Sequence, residues 1–341
     1  MKRIGVLLTA LMFLLAMANP CFSKGLTTGD QTIYGHKTFE HNVIVEGTLQ
    51  AKGPTKGINA IGDVFYVGST WGHDSPGNYG GTWDQPFATI DFAIGQCTAN
   101  HGDTIYVLPY HAETVTSAIT ADVAGISIIG LTNGRNMPTL TPNGAIDALT
   151  ITASDVTVAN LRFGEPGTDE QTADINITGD RVSIFDTVHL GSQSGSTENK
   201  VSIITITATA FDILLDGVRI HNKTTALSGA GILIEGVSER VEIRNCAIFD
   251  SIGMVLGALG DGAAALQCYI HHNIFQCAQA DDVCVEFGHN STGIFAYNFV
   301  AGRDTTIADN IIEGNAMDFV ENYIVEEAIL SGLLHPGVDA E

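Results

Sequence analysis

From about Asp103 onward the chain alternates apolar and polar residues in short runs, and the runs repeat. One set of runs carries Leu149/Ile151, Ile175/Ile177, Ile204/Ile206 and Ile232/Ile234. A second carries Val156/Val158, Val182/Ile184, Ile213/Leu215, Val241/Ile243, Cys268/Ile270 and Ile294/Ala296. Apolar residues two apart share one face of a strand. Along the second set, counted from Val158, the steps are 26, 31, 28, 27 and 26 residues. A single short strand cannot bury its apolar face. Stacking equivalent strands from successive turns at about 4.8 Å buries a continuous column and satisfies the backbone in parallel ladders. Helical patterns between the strands, which an α/β sheet requires, are absent, and hairpin turns would not produce so long a period. The pattern therefore predicts an all-β solenoid, a single-stranded parallel β-helix, with a β-sandwich as the alternative.

Polar residues follow the second set of runs: Asn160, Asp186, Asp216, Asn245, His272 and Asn298. Asn and Asp tolerate left-handed backbone angles and bond to neighbouring backbone groups. Stacked at one corner of successive coils, they predict a structural ladder that shapes the bend. Ahead of the first coil, Phe87, Ile90, Ile94 and Cys97 fall at helical spacing. Pro86 suits the first turn, and Asp84 or Gln85 is available as cap. A short amphipathic helix here covers the open end of the solenoid core.

The ends divide the chain further. Lys2 and Arg3 precede an apolar run, Ile4 to Ala18, too short for a comfortable membrane span. Residues 1–23 read as a signal peptide, cleaved after Ser23 or Ala18, and a retained anchor is the alternative. Residues 24–60 read as a β segment and linker for attachment or assembly, 61–328 as the β-helix, and 329–341 as a tail. No other stretch is long and apolar enough for a span, which predicts an exported protein.

Composition narrows the partners. The net charge of −23 repels nucleic-acid backbones and anionic membranes, so nucleic acid is not an expected partner. An acidic surface suits solubility first and Ca²⁺ second; no other cofactor is indicated. Cleavage of the leader leaves five cysteines, Cys97, Cys246, Cys268, Cys277 and Cys284. Cys246 and Cys268 occupy apolar positions, and Cys277 and Cys284 offer one bridge across a loop in an oxidising compartment. There is no CxxC pair, and no metal site is assigned. Asn176, Asn222 and Asn290 open glycosylation sequons that chance produces readily in a Thr-rich β protein.

Three stretches carry resemblances. "DVFYVGSTWGHDSPGNYGGTWDQPFATIDFAI…GDTIYVLP", Asp63 to Pro109, resembles the leading segment of the pectate-lyase-like right-handed β-helix superfamily. The likeness extends over about Asp63 to Glu326. It implies right-handed coiling and a fold shared by lyases, glycosidases, phage tailspikes and noncatalytic surface proteins, so it does not settle function. "GDQTIYGHKTF…VIVEGTL", Gly29 to Leu49, is similar to a segment of phage tail-fibre and other virion-surface proteins, through Gln31, Thr32, Ile33, Gly35, Lys37, Thr38 and Phe39. The ending "FVENYIVEEAILSGLLHPGVDAE" resembles the C-termini of phage-associated β-helix proteins.

Catalytic chemistry finds little support. Lyases of this superfamily need acidic Ca²⁺ ligands and a basic proton acceptor beside a uronate carboxylate. Lys and Arg total fifteen, and Arg162, Arg181, Arg219, Arg240 and Arg244 are scattered along the coils. The candidates for glycosidase chemistry are Asp281, Asp282, Glu286 and His289 in "QADDVCVEFGHNS". That stretch is distantly similar to the "DD…GHG" signature of polygalacturonases, but His289 follows Asp282 by only seven residues, and no "NTD" or "RIK" segment exists. His271 and His272 fall on opposite faces if the strand continues through both, which keeps them from chelating one ion. The leading expectation is an exported noncatalytic structural protein of a virion surface or extracellular appendage, associating with itself or other surface proteins. The alternatives are a polysaccharide lyase or glycosidase and a glycan-binding surface module.

Overall fold

The computed structural model describes residues 62–75, 79–165, 171–191, 201–208, 210–222, 230–235, 237–250, 259–261, 264–276, 284–287, 291–302, 312–313, 317–326 and 333–334. All of them lie in Thr55–Glu341, the second of two units into which the chain divides. The leader and the segment Gly29 to Leu49 lie outside the described residues.

The repeating runs form three parallel sheets that wind around one apolar core. Along each coil the chain visits them in the order I, II, III. Sheet I runs from Val64–Val67 through Thr104–Val107 to Met317–Val320 and has 11 strands. Sheet II runs from Ala112–Val115 to Asn322–Glu326, ending in the added pair Leu333–Leu334. Sheet III runs from Ile119–Ala121 to Ile312–Glu313. Neighbours in each sheet come from successive coils and pair parallel, as at Thr104↔Ser127 and Ile175↔Ile204. Leu333–Leu334 is the exception and joins Asn322–Tyr323 antiparallel. The chain is a parallel β-solenoid with a single short α-helix among the described residues.

The interior column of sheet I is Ile105, Ile128, Val158, Ile184, Leu215, Ile243, Ile270 and Phe295, all in register and all fully buried. At about 1.5–3 kcal/mol for each large side chain, this column is a main source of stability. The last member departs from expectation. Phe295 faces inward in register with Ile270; Ile294 is exposed, and Ala296, although buried, aligns with His271 instead. A shift of one residue moves every side chain of a strand to the other face. The larger Phe295 takes the core position, its ring 6.0 Å from that of Phe275 and 5.7 Å from that of Phe319. Gly293 makes the shift feasible: at φ 143°, any Cβ there would overlap the Cys268 backbone.

Helix α1, Ile90–Ile94, sits beside the first coils. Phe87, Ile90 and Ile94 are buried, and Cys97 is partly buried against the same core. The helix begins later than Pro86 because Phe87 first bridges to Val67, its N–H donating to the Tyr66 carbonyl at 2.8 Å. The cap is therefore Thr89, whose Oγ1 accepts from Phe92 N at 3.3 Å. Asp74 accepts from the amides of Ala88 and Thr89, and Glu113 accepts from Ile90 N. These carboxylates satisfy donors that the first turn would otherwise leave open.

Candidate functional site

The corner from sheet I to sheet II is built from two adjacent columns rather than one. The outer column is left-handed: Asn160 (φ 55°), Asp186 (50°), Gly217 (72°), Asn245 (53°), His272 (57°), Tyr297 (56°) and Glu321 (48°). Asn160, Asp186, Asn245 and His272 hold this position as the sequence predicts. Asp216 and Asn298 do not. Asp216 ends its strand one residue earlier and leaves the strained position to Gly217, where glycine carries no Cβ penalty. Asn298 lies one residue later, in the inner column, because the register follows Phe295.

That inner column changes chemistry along the molecule. It reads Leu161, Thr187, Val218, Cys246, then Asn273, Asn298 and Asn322, all buried. Asn273 Oδ1 accepts from Cys246 N at 2.8 Å. Asn298 Oδ1 accepts from Asn273 N at 3.0 Å and from its Nδ2 at 3.0 Å. Asn322 Oδ1 does the same for Asn298, at 3.0 and 3.1 Å. Each Nδ2 also donates to a strand carbonyl, of Ile243, Ile270 or Phe295. A side-chain amide offers a donor and an acceptor together, so it bridges two coils where the backbone turns away from its own ladder. Buried polar groups so satisfied rigidify the bend.

Outside the same late coils lies an exposed aromatic face. Tyr269, Ile274, Ile294, Tyr297, Phe299 and Tyr323 are large apolar or aromatic side chains open to solvent there. Register aligns Tyr269 with Ile294, and Ile274 with Phe299 and then Tyr323. Rings meet from coil to coil: His272 with Tyr297 at 5.2 Å and Phe299 with Tyr323 at 5.5 Å. Within one strand, Tyr269 stacks on His271 at 3.9 Å. The histidines also depart from expectation. His272 is left-handed, so the alternation of faces ends at His271 and the two rings meet, Nδ1 to Nδ1 at 2.8 Å. His271 Nε2 lies 3.2 Å from Glu242 Oε1. A second exposed group, Trp71, Trp83 and Tyr110, sits on the loops of the first coils.

The charged residues are organised rather than scattered. At the corner from sheet III to sheet I, Asp155, Arg181, Asp212 and Arg240 alternate in sign, all with positive φ. Arg181 grips Asp155 at 2.7 and 2.9 Å, Arg240 grips Asp212 through both Nε and Nη2, and the two guanidinium groups flank the Phe211 ring. Their hydrogen bonds hold the carboxyls of Asp155 and Asp212 below the usual range. Burial pushes the Asp216 carboxyl up, but bonds from Asn245 and Arg244 outweigh it and lower the net value. These carboxylates are bound into ion pairs with neighbouring coils.

Asp103 staples the first coil. Its side chain is fully buried, and its oxygens accept from Asp63 N, from Thr98 N and from the His101 ring, each at 2.6 Å. Burial raises its pKa, and these donors lower it further than burial raises it. Ligand atoms of Asp63, His101 and Asp103 lie within 4.8 Å of one another. Both Asp103 oxygens are already engaged by donors, two of the three being backbone amides, so this group reads as a clasp. Asp281, Asp282 and His289 lie outside the described residues, as does Cys277. Glu286 ends the strand Val285–Glu286, and its side chain is not described.

No protein family matches the sequence, and no curated protein matches it. Several solved structures align with the chain. A rhamnogalacturonan lyase shares 13% identity over 80% of this chain and 75% of its own, with a TM-score of 0.39. PfbA, a surface adhesin of Streptococcus pneumoniae, shares 12% over 70% of this chain and 75% of its own, at 0.42. ORF18 of Geobacillus virus E2 shares 11% over 72% of this chain and 59% of its own, at 0.35.

Proposed function

We propose that the chain is a noncatalytic surface solenoid, exported to a virion surface or extracellular appendage, whose late coils hold a neutral polysaccharide. The observation that carries this reading is the aromatic face at the corner of sheets I and II, formed by Tyr269, Tyr297, Phe299 and Tyr323 with Ile274 and Ile294. Contiguous exposed apolar surface marks interaction sites, and tyrosine combines a flat apolar body with a hydroxyl. Rings stacked along the axis turn their edges outward at about the 4.8 Å coil repeat. A ligand that repeats apolar patches and hydroxyls at such a spacing is a sugar chain. The charge of −23 selects against acidic polymers. Carboxylates bound to arginines, amides or a neighbouring histidine support a structural rather than a catalytic role for the acidic residues. Self-association would repeat this face along an assembly and raise its avidity.

The test joins binding with turnover. Purified chain on an array of neutral and acidic glycans should bind neutral polysaccharide, releasing neither unsaturated uronides nor reducing ends, with or without Ca²⁺. Tyr297→Ala and Tyr323→Ala should each weaken binding about tenfold, on the scale of interface hot spots. Turnover that Asp282→Asn abolishes in a folded protein would reject the noncatalytic reading and promote the glycosidase. Electron microscopy of the same preparation should find regular oligomers or fibres.

A further inference from the structure

We propose that His271 and His272 chelate a divalent transition-metal ion of tetragonal preference, copper(II) or nickel(II). The two Nδ1 atoms are 2.8 Å apart. Between two neutral imidazoles that separation accommodates one proton, donated by one ring and accepted by the other. It is also the bite of a chelate. At metal–nitrogen distances of about 2.0–2.1 Å, a 2.8 Å separation subtends about 86° at the metal. A tetrahedral ion would hold the nitrogens about 3.3 Å apart at the same bond length. The near-right angle therefore suits the square-planar or tetragonal ions, for which imidazole is a good donor.

The surroundings prepare one ring as a ligand. Glu242 Oε1 faces His271 Nε2 at 3.2 Å and accepts its N–H, which leaves the lone pair on Nδ1. Glu242 is itself held by Arg244 at 2.8 Å, and Arg244 is anchored to Asp216 at 2.8 Å. Tyr269 stacks on His271 and Tyr297 on His272, so both ring planes are set before any ion arrives. On binding, the proton on His272 moves from Nδ1 to Nε2 through solvent, which frees both Nδ1 lone pairs for the metal. His272 is exposed, so water can complete the coordination. In the clasp of Asp63, His101 and Asp103 both Asp103 oxygens already hold donors of the fold, and the inference does not depend on glycan binding.

The experiment is calorimetric titration of the full chain with copper(II) and nickel(II) chlorides, with electron paramagnetic resonance of the copper form. One copper(II) per chain is expected, with an axial spectrum split by two nitrogens. His271→Ala and His272→Asn should each lower copper affinity at least tenfold; asparagine is chosen at 272 because Asn245 already holds the same left-handed position one coil away. Glu242→Gln should lower affinity about 10- to 100-fold, the usual effect of losing a ligand's carboxylate partner. His101→Ala should leave copper affinity unchanged. A circular dichroism spectrum like the parent's and a single cooperative unfolding transition confirm that each variant is folded. Copper affinity unchanged in folded His271→Ala and His272→Asn, or a spectrum without nitrogen coupling, would mean an adventitious ion only and overturn the site.

Discussion

The first and last coils solve the same bend with different chemistry. At the inner corner the early coils place Leu161, Thr187 and Val218, and the late coils place Asn273, Asn298 and Asn322. Outside, the early corner carries Asn160 and Asp186, and the late one carries His272 and Tyr297. The early end is closed by an apolar helix and clasped by an ionised Asp103. The late end is clasped by neutral amides. Amides hold their bonds at any ordinary pH, whereas a carboxylate clasp depends on staying ionised. The difference also separates surfaces: the coils whose bend is held by internal amides expose rings that stack from coil to coil, whereas the early end exposes Trp71, Trp83 and Tyr110 on its loops.

The largest effect should come from breaking the early end. Ile90→Asp places a charge where the side chain is 1% exposed, among Phe87, Ile94 and the first rungs. An unpaired buried charge should cost about 4 kcal/mol or more, read as a lowered denaturant midpoint. A variant that melts like the parent would remove the helix from the core. Next comes Asn298→Leu, at the centre of the amide ladder. It deprives Asn273 N of its acceptor, Asn273 Nδ2 of one of two, and the Ile270 carbonyl of the Nδ2 donor. Asn322 Oδ1 loses one of its two donors, the backbone N–H of residue 298 remaining. Each stranded buried group costs about 1–3 kcal/mol, so the sum should be about 3 kcal/mol, and equal at pH 3.5 and pH 7. A loss confined to neutral pH would contradict the neutral clasp.

Asp103→Asn tests the other clasp. Folding lowers the Asp103 pKa, so its stabilisation is present above the unfolded value of about 3.9 and fades as pH falls through the folded one. At pH 7 the substitution should cost about 1–3 kcal/mol, because one carboxylate oxygen becomes an amide NH2 group facing a backbone donor. At a pH below the folded value parent and variant should converge. Denaturation series at both pH values measure this, and a pH-independent cost would show that hydrogen-bond geometry, not charge, holds the first coil.

How much of this was legible follows from the same physics. The period was legible because each coil must bury the same face, so Val158, Ile184, Leu215, Ile243 and Ile270 recur by necessity. Phe295 was misread because Ile294 and Ala296 also fit an alternating pattern, and only volume in the core decides between them. The histidine pair was misread because alternation was carried through a residue with positive φ, where it ends. The ion pairs had a readable signal. Asp155, Arg181, Asp212 and Arg240 are separated by 26, 31 and 28 residues, the same steps as the interior column. Charges spaced like the core belong to adjacent coils. The aromatic face carried only part of such a signal: Ile274, Phe299 and Tyr323 are 25 and 24 residues apart, but the face joins columns from both sides of a corner.

The smallest predicted effect lies where the two regions meet. Cys246 is the last member of the inner column before the asparagines, and it already makes their bonds in weak form. Its Sγ lies 3.7 Å from the Leu215 carbonyl and 3.2 Å from that of Arg244, the first being the place where Asn273 Nδ2 meets Ile243 at 2.8 Å one coil on. Burial pushes its thiol up to about 12, and a hydrogen bond from the Val218 backbone opposes that rise. Cys246→Asn would give Leu215 a full amide donor and Val218 a full carbonyl acceptor. Two weak sulfur contacts become two ordinary hydrogen bonds, against the cost of ordering one more polar side chain. The net should be a gain of about 0.5–1 kcal/mol, visible as a small rise in the denaturant midpoint with unchanged slope. A loss of stability would mean that the corner above Cys246 is packed for an apolar residue, and that the amide ladder ends at Asn273 for steric reasons. A gain would mean that the ladder can be extended coil by coil toward the early end.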